Sequence, residues 1–273
     1  MPPPAYNLPM TESFLNDLDD PRLEPYRDLK LTNQSRRQEI FVAEGRFVVE
    51  RLLQSDFPIE SVLVSEKKRH LFPEEYLDRV SLMVLPHELM QSLVGFDFHH
   101  GFLACGLRKQ EQKLAEPEPG RRSLLLACPH IADPDNLGTM IRLARAFGAD
   151  ALLVGDQCTD PFSRRSIRVS MGNIFSLPII QPADLQETLK GLKTEWEYEV
   201  AATVLDDRAE PLMEESRAER LILIFGNEAT GLDPRWLEIA DRQVTIPMDE
   251  GTDSLNVALS AGIFLYHYTR VAR

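Results

Sequence analysis

Cysteine is scarce. The 273-residue chain has three, Cys105, Cys128 and Cys158, an odd number spaced too widely for a disulfide framework or a paired C-x-x-C zinc site. They read as reduced packing residues, and the adjacent His99 and His100 lack a metal-ligand spacing, so no metal is expected. No apolar run approaches the roughly 20 residues that span a bilayer, so no membrane is expected as a partner. The opening "MPPPAYNLPMTESFLNDLDD" is acidic, with neither an Arg-rich amphipathic pattern nor an apolar signal core. A cytoplasmic location is the expectation.

Positive charge is the other shortage. There are 30 Lys+Arg against 43 Asp+Glu, a net charge of −13. Residues 1–122 contribute −4 and residues 123–273 contribute −9, which excludes a general attraction to polyanions. A nucleic-acid partner would have to be met by local clusters: Arg36-Arg37, Lys67-Lys68-Arg69 or Arg164-Arg165-Arg168. Each alone reads first as a solvated face.

What is present is alternation. Residues 1–27 are rich in Pro, Asp and Leu without a sustained period and read as an extension or docking arm. Over 28–107, "EIFVAEG", "IESVLVSE", "SLMVLP" and "GFLACGL" read as strands, and "RFVVERLLQS", "FPEEYLDRV" and "HELMQSLVG" as helices between them. That pattern predicts a small α/β layer domain. Residues 108–122, "RKQEQKLAEPEPGRR", carry charge, Pro and Gly without apolar period and read as a linker. Over 123–273 the strands become near-continuous apolar runs, "SLLLAC", "ALLVG", "LPII", "EVAATVL", "LILIF" and "QVTIPM". Such runs suit a parallel sheet covered on both faces.

Ligands of open α/β sheets bind beyond the carboxyl ends of the strands, and three loops lie there. After "SLLLAC", Asp135 or Asn136 can cap a helix with Leu137, Met140, Ile141, Ala144 and Phe147 on one face and Gly138, Arg142 and Arg145 on another. The arginines are either an exposed stripe or an anion grip. After "LILIF" comes "GNEATGLDP", framed by glycines like a phosphate loop but lacking the Lys-Ser/Thr that meets phosphates, and carrying Glu228 instead. After "QVT" comes "IPMDEGTDSLNVALS", in which Asp253 or Ser254 can cap the last helix and Asn256 would fall in its first turn. No G-x-G-x-x-G follows a strand, which argues against a dinucleotide enzyme.

"DPDNLGTMIRLARAFGAD", "IFGNEATGL" and "IPMDEGTDSLNVALSAGIFLY" resemble, in order and character, the three motifs of the SpoU/TrmH family of RNA ribose methyltransferases in the SPOUT superfamily. "DPFSRRSIRVSMGNIFSLPI" resembles that family's connecting segment, so the likeness spans residues 123–273. The pattern over 28–107 is similar to the α/β substrate-binding domain that many members carry. Two departures stand out: Ala258 where a small hydroxyl residue is frequent, and an acidity unusual for an RNA binder.

The resemblance implies a SPOUT-type parallel sheet closed by a trefoil knot, a homodimer, and transfer of a methyl group from S-adenosylmethionine to a ribose 2′-hydroxyl. The target would be structured RNA, ribosomal in preference to transfer RNA. A catalytically silent RNA-binding or assembly factor of the same fold is the alternative. By the motif match, Asn136, Arg142, Glu228, Ser254 and Asn256 form the catalytic constellation, with Glu228 orienting Arg142 or Asn136. Gly226, Ile246 and Leu255 hold the cofactor through their backbone, beside Thr203, Leu205 and Met248. RNA contacts fall to Arg36, Arg37, Lys67, Lys68, Arg69, Arg145 and Arg168.

Overall fold

A computed structural model describes residues 12–27, 29, 39–95, 98–109, 114–249 and 254–272. The chain divides into two compact units, one of residues 1–110 with 162–175, the other of residues 111–161 with 176–273.

The first unit is built on a five-stranded sheet. Its strands are β1 (Glu12–Phe14), β2 (Ile40–Glu44), β3 (Ile59–Ser65), β4 (Leu82–Leu85) and β5 (Phe102–Leu107), in the order β1-β4-β3-β5-β2. β1, β4 and β3 run parallel, and β5 runs antiparallel to both β3 and β2. Helices α1 (Arg46–Leu53) and α2 (His87–Val94) bury their apolar stripes. The four expected strands are present. "FPEEYLDRV" makes only a 3₁₀ turn, Glu74–Tyr76, because so short and polar a segment cannot offset the cost of nucleating an α-helix.

Residues 12–26 are not a free arm. Their strand β1 extends the sheet at β4, and Leu15, Leu23 and Tyr26 enter the core. The buried Tyr26 hydroxyl lies 2.8 Å from Ser61 Oγ and accepts from the Cys105 amide at 3.1 Å. These bonds satisfy a polar group that burial would otherwise penalise.

The excursion 162–175 joins this unit for an apolar reason. Phe162 and Phe175 pack on Phe41, with ring centroids 5.5 and 5.4 Å apart, and on Phe57, at 5.8 and 5.6 Å. A four-ring cluster removes far more apolar surface from water than the segment's turns could bury alone. The excursion includes a short helix, α3 (Arg164–Val169), capped by Ser163.

The second unit holds a seven-stranded, wholly parallel sheet. Its strands are β6 (Ser123–Cys128), β7 (Ala151–Val154), β8 (Ile179–Ile180), β9 (Glu199–Thr203), β10 (Glu210–Pro211), β11 (Arg220–Ile224) and β12 (Arg242–Thr245), in the order β10-β12-β9-β11-β6-β7-β8. On one face Leu125, Ala127, Leu153, Ile222 and Ile224 meet Leu185, Leu189 and Leu192 of α5 (Leu185–Trp196), along with Trp236. Helix α4 (Pro134–Phe147) buries Leu137, Met140, Ile141 and Ala144. The last helix, α6 (Val257–Tyr266), passes into a π-helical turn, His267–Val271. Gly262 of α6 faces Leu143 of α4, where a β-carbon would make an ordinary contact at 3.5 Å. Cys105, Cys128 and Cys158 are all free and buried, and burial raises their thiol pKa values above the ordinary range. They are packing groups without reactive character.

Candidate active site

The site lies where β6, β9, β11 and β12 end, and its geometry starts from two helix caps. Asp133, not Asp135 or Asn136, caps α4: its Oδ1 accepts from the Asp135 amide at 2.8 Å, with Pro134 in the first turn. Proline prefers that position because its missing N–H has no partner to lose there. Asn136 is thereby drawn into the helix and buried to 8% exposure, with its side chain free for other bonds. At α6 the cap is Asn256, not Ser254, and Asp253 lies outside the described residues. Asn256 Oδ1 accepts from the amides of Ala258 at 2.9 Å and Leu259 at 3.2 Å.

These caps feed one directed chain of hydrogen bonds. Asn256 Nδ2 donates to Asn136 Oδ1 at 2.8 Å, and Asn136 Nδ2 donates to Glu228 Oε1 at 2.9 Å. The direction is forced, because the backbone amides at one end only donate and the carboxylate at the other only accepts. Glu228 also accepts from the amides of Ala132 and Asp133, each at 3.3 Å. Burial raises its pKa, but the bonds from Asn136 and the backbone outweigh that, and the carboxyl titrates below its ordinary range. Between Asn136 and Arg142 as partners for Glu228, the structure selects Asn136.

The glycine-framed loop presents this carboxylate. Asn227 and Gly231 exchange two backbone bonds of 2.9 Å, and Asn227 Oδ1 accepts from the amides of Ala229 and Thr230. Gly231 sits at φ +70°, and a β-carbon on Gly226 would lie 2.4 Å from the Gly231 carbonyl carbon, so neither position accepts a side chain without strain. The sequence pattern does not single out Asn227, although an Asn opening a tight turn is the signal for such self-bonding.

Beside the loop is a cleft of about 620 Å³. Thr203, Leu205, Gly226, Ile246, Met248 and Leu255 all line it, together with Glu228 and Ser254. Thr203 is fixed by its hydroxyl, which donates to the Ile224 carbonyl at 2.9 Å. The volume falls in the range of about 300–1,000 Å³ usual for small-molecule sites.

A profile of the SpoU rRNA methylase family matches residues 123–266, more than half of the chain. This chain belongs to the SpoU rRNA methylase family. An uncharacterised tRNA/rRNA methyltransferase of Mycobacterium tuberculosis is 34% identical over 266 residues, covering 93% of this chain and 90% of the relative. The 23S rRNA (guanosine(2553)-2′-O)-methyltransferase RlmP of Bacillus subtilis is 30% identical, with 90% of this chain and 95% of the relative covered. In fold, the chain is similar to an AdoMet-bound rRNA methyltransferase from Sinorhizobium meliloti, with a TM-score of 0.78, 24% identity, and 93% and 96% of the two chains covered.

Among the residues expected to act together in a SpoU-type site, Asn136, Glu228 and Asn256 are hydrogen-bonded, and Ser254 lines the cleft. Arg142 stands apart. It is exposed on α4, does not line the cleft, and has no hydrogen bond or ion pair among the described residues. Six residues along a helix place it about 120° around and about 9 Å along from Asn136.

The expected RNA contacts fare unevenly. Arg36 and Arg37 lie outside the described residues. Arg69 is held by Glu12 at 2.9 Å and Glu74 at 2.9 Å with 17% side-chain exposure, so it is not a free cation. Lys68 is spent on the carbonyls of His99 and His100, while Lys67 is exposed with a loose pairing to Glu88 at 3.3 Å. Arg145 bonds to Ser176 Oγ at 3.1 Å, and Arg168 lies 3.7 Å from Glu44. Among the described residues no three His, Cys, Asp or Glu side chains converge as for a metal, and no helix is long and apolar enough to cross a membrane.

Proposed function

We propose that this protein transfers the methyl group of S-adenosylmethionine to a ribose 2′-hydroxyl of structured RNA, with ribosomal RNA as the substrate. The observation that carries the reading is the convergence of six expected cofactor residues in one cleft, bordered by the Asn256–Asn136–Glu228 chain. The cleft suits a neutral adenosine better than a polyphosphate, because among the described residues no lysine lines it and Glu228 does. Its walls are Leu205, Met248 and Leu255, and its floor is backbone at Gly226, where a side chain is excluded.

When bound, S-adenosylmethionine supplies a methyl group on a sulfonium, which leaves as a neutral thioether. The protein therefore has mainly to align the acceptor oxygen and handle one proton. Asn136, Glu228 and Asn256 lock the two helix starts and the glycine-framed loop around the cleft, so its geometry is set before substrate arrives. Ser254 offers an exposed hydroxyl within the cleft to orient the ribose. Arg142 grips a phosphate beside the target and stabilises the developing alkoxide. A guanidinium with a pKa above about 12 is too weak a base to take the proton itself, which passes to phosphate or water.

We also propose a homodimer, because Arg142 is separate from the cleft within one chain and an apolar stripe lies nearby. Leu259, Ile263 and Tyr266 are exposed at 62%, 41% and 56% along α6, and Tyr266 packs edge-on to Phe147 of α4 with centroids 6.3 Å apart. A second copy covering this stripe would bring its own Arg142 to the interface. The three segments that meet in the cleft support the trefoil knot that the family resemblance implies. We assign RNA recognition to the first unit and place the protein in the cytoplasm. The test is isothermal calorimetry with S-adenosylmethionine, then transfer of its labelled methyl group to ribosomal RNA. Absence of both binding and transfer refutes the reading.

A further inference from the structure

In the second unit, a buried polar cluster joins the end of the last helix to the edge of the sheet. Glu215 follows the 3₁₀ turn Leu212–Glu214, and its side chain is only 5% exposed. From the π-helical turn, the Tyr268 hydroxyl donates to Glu215 Oε2 at 2.9 Å. His267 Nε2 donates to the Glu215 carbonyl at 3.0 Å, a direction forced because a carbonyl only accepts. From β12, Arg242 pairs through Nη1 with Glu215 Oε2 at 2.6 Å and through Nε with Glu199 of β9 at 2.6 Å. Glu210 of β10 is hydrogen-bonded to the Glu215 carboxyl, and Arg217 Nη1 donates to the Tyr268 carbonyl at 3.3 Å.

Tyr268 carries this cluster to the cleft. It is fully buried, and its ring lies 22° from parallel to that of Phe264 in α6, with centroids 6.5 Å apart. Phe264 in turn meets Phe225 edge-on at 5.9 Å, and both phenylalanines line the cleft. Phe225 directly precedes Gly226 of the cleft floor. Close-packed interiors transmit small displacements, so the seat of Tyr268 bears on the shape of the cleft.

We infer that Glu215 is a positioning residue for the cofactor cleft, seating Phe264 through the Tyr268 hydroxyl. The inference rests on the cofactor reading above. It also makes the cleft sensitive to pH. Burial, and then Glu210, push the Glu215 carboxyl up to about 7, against the opposing effects of the Tyr268 bond and Arg242. Burial raises the Tyr268 hydroxyl as well, so that group remains a donor throughout. The folded value lies above the ordinary one of 4.5, so the stability lent by the Glu215 proton is complete below that value and is lost as pH rises through about 7. Above it, an ionised Glu215 faces Glu210 as a like charge, and the cluster opens more readily.

The test is hydrogen exchange of the full-length protein at pH 6 and pH 8, with and without saturating S-adenosylhomocysteine, alongside calorimetry of that ligand. The probes are the Glu215 amide, bonded to the Leu212 carbonyl at 3.2 Å, and the Ala272 amide, bonded to the His267 carbonyl at 2.8 Å. After correction for the intrinsic pH dependence of exchange, their opening should rise about tenfold between pH 6 and pH 8. Glu215→Gln keeps an acceptor for Tyr268 and cannot ionise, so its opening should be equal at the two pH values. Bound ligand should suppress the opening, because coupling between two sites is reciprocal. The Thr188 amide at the start of α5 serves as the control, since global stabilisation would slow it equally. Tyr268→Phe keeps the ring and loses the hydroxyl bond, and should weaken ligand binding about tenfold. Opening that ligand leaves unchanged, Tyr268→Phe with wild-type affinity, or a pH dependence that survives in Glu215→Gln each overturns this positioning role while leaving the cofactor reading intact. Wild-type protein that does not bind S-adenosylhomocysteine overturns the cofactor reading itself.

Discussion

Asn136 and Asn256 are 120 residues apart in sequence, yet their amides meet at 2.8 Å, one from the first turn of α4 and the other from the cap of α6. Each amide spends both ends. Asn256 caps its own helix with the oxygen and donates with the nitrogen; Asn136 accepts from Asn256 and donates to Glu228. A single directed chain thus ties together the loops after β6, β11 and β12.

Asn256→Ala should cost about 1 kcal/mol for the lost cap, and further stability for the acceptor left on Asn136. Asn256→Asp keeps the capping oxygen but removes the donor and sets an acid facing Asn136 Oδ1. Thermal unfolding and methyl-transfer rates should therefore separate: Asp retains more stability than Ala, and both lose activity. Full activity in Asn256→Asp would show that the chain's direction does not matter.

Glu228 sets an acid limit. Its pKa is depressed in the folded protein, so the stability it contributes is fully present above the unfolded value near pH 4.5 and is lost as pH falls through the lower folded value. Glu228→Gln should lose stability at neutral pH and flatten the acid limb of the unfolding profile. An unchanged acid limb would mean that the carboxylate is not the acceptor described.

Gly226→Ala forces a methyl group to within 2.4 Å of the Gly231 carbonyl carbon. Such overpacking should cost about 1–3 kcal/mol and displace the loop that forms the cleft floor. Calorimetry should find cofactor affinity reduced at least tenfold. Retained affinity would place the cofactor elsewhere.

Ile263→Asp puts a charge in the apolar stripe of α6. Light scattering should report a dimer for the wild type and a monomer for the variant, with methyl transfer lost. A dimer that persists would move the interface to another face.

The apolar runs "SLLLAC", "ALLVG" and "LILIF" were sufficient to place the strands of the parallel sheet, because a strand buried on both faces has no other composition open to it. The cap positions were not legible at single-residue level. Asp133, Asp135 and Asn136 all carry cap-forming side chains, and only the placement of Pro134 in the first turn decides among them. Nor could periodicity show that residues 162–175 leave the second unit. That depends on Phe162 and Phe175 finding Phe41 and Phe57 across more than a hundred residues, a tertiary contact with no local signal. Residues 12–26 differ from the expectation for the opposite reason: their Pro and Asp predict an arm, while the three apolar side chains that anchor them, Leu15, Leu23 and Tyr26, have no regular spacing.

The central claim is that this cleft and Arg142 together methylate a ribose hydroxyl, and it is tested most directly by mapping 2′-O-methylated nucleotides across total RNA. Cells lacking the protein are compared with cells carrying the wild type or Arg142→Ala. The account predicts one or a few ribosomal positions that resist alkaline cleavage only with the wild type, and that stay cleavable with Arg142→Ala although that variant binds S-adenosylmethionine normally. Identical methylation maps in all three, or full modification by Arg142→Ala, would contradict it.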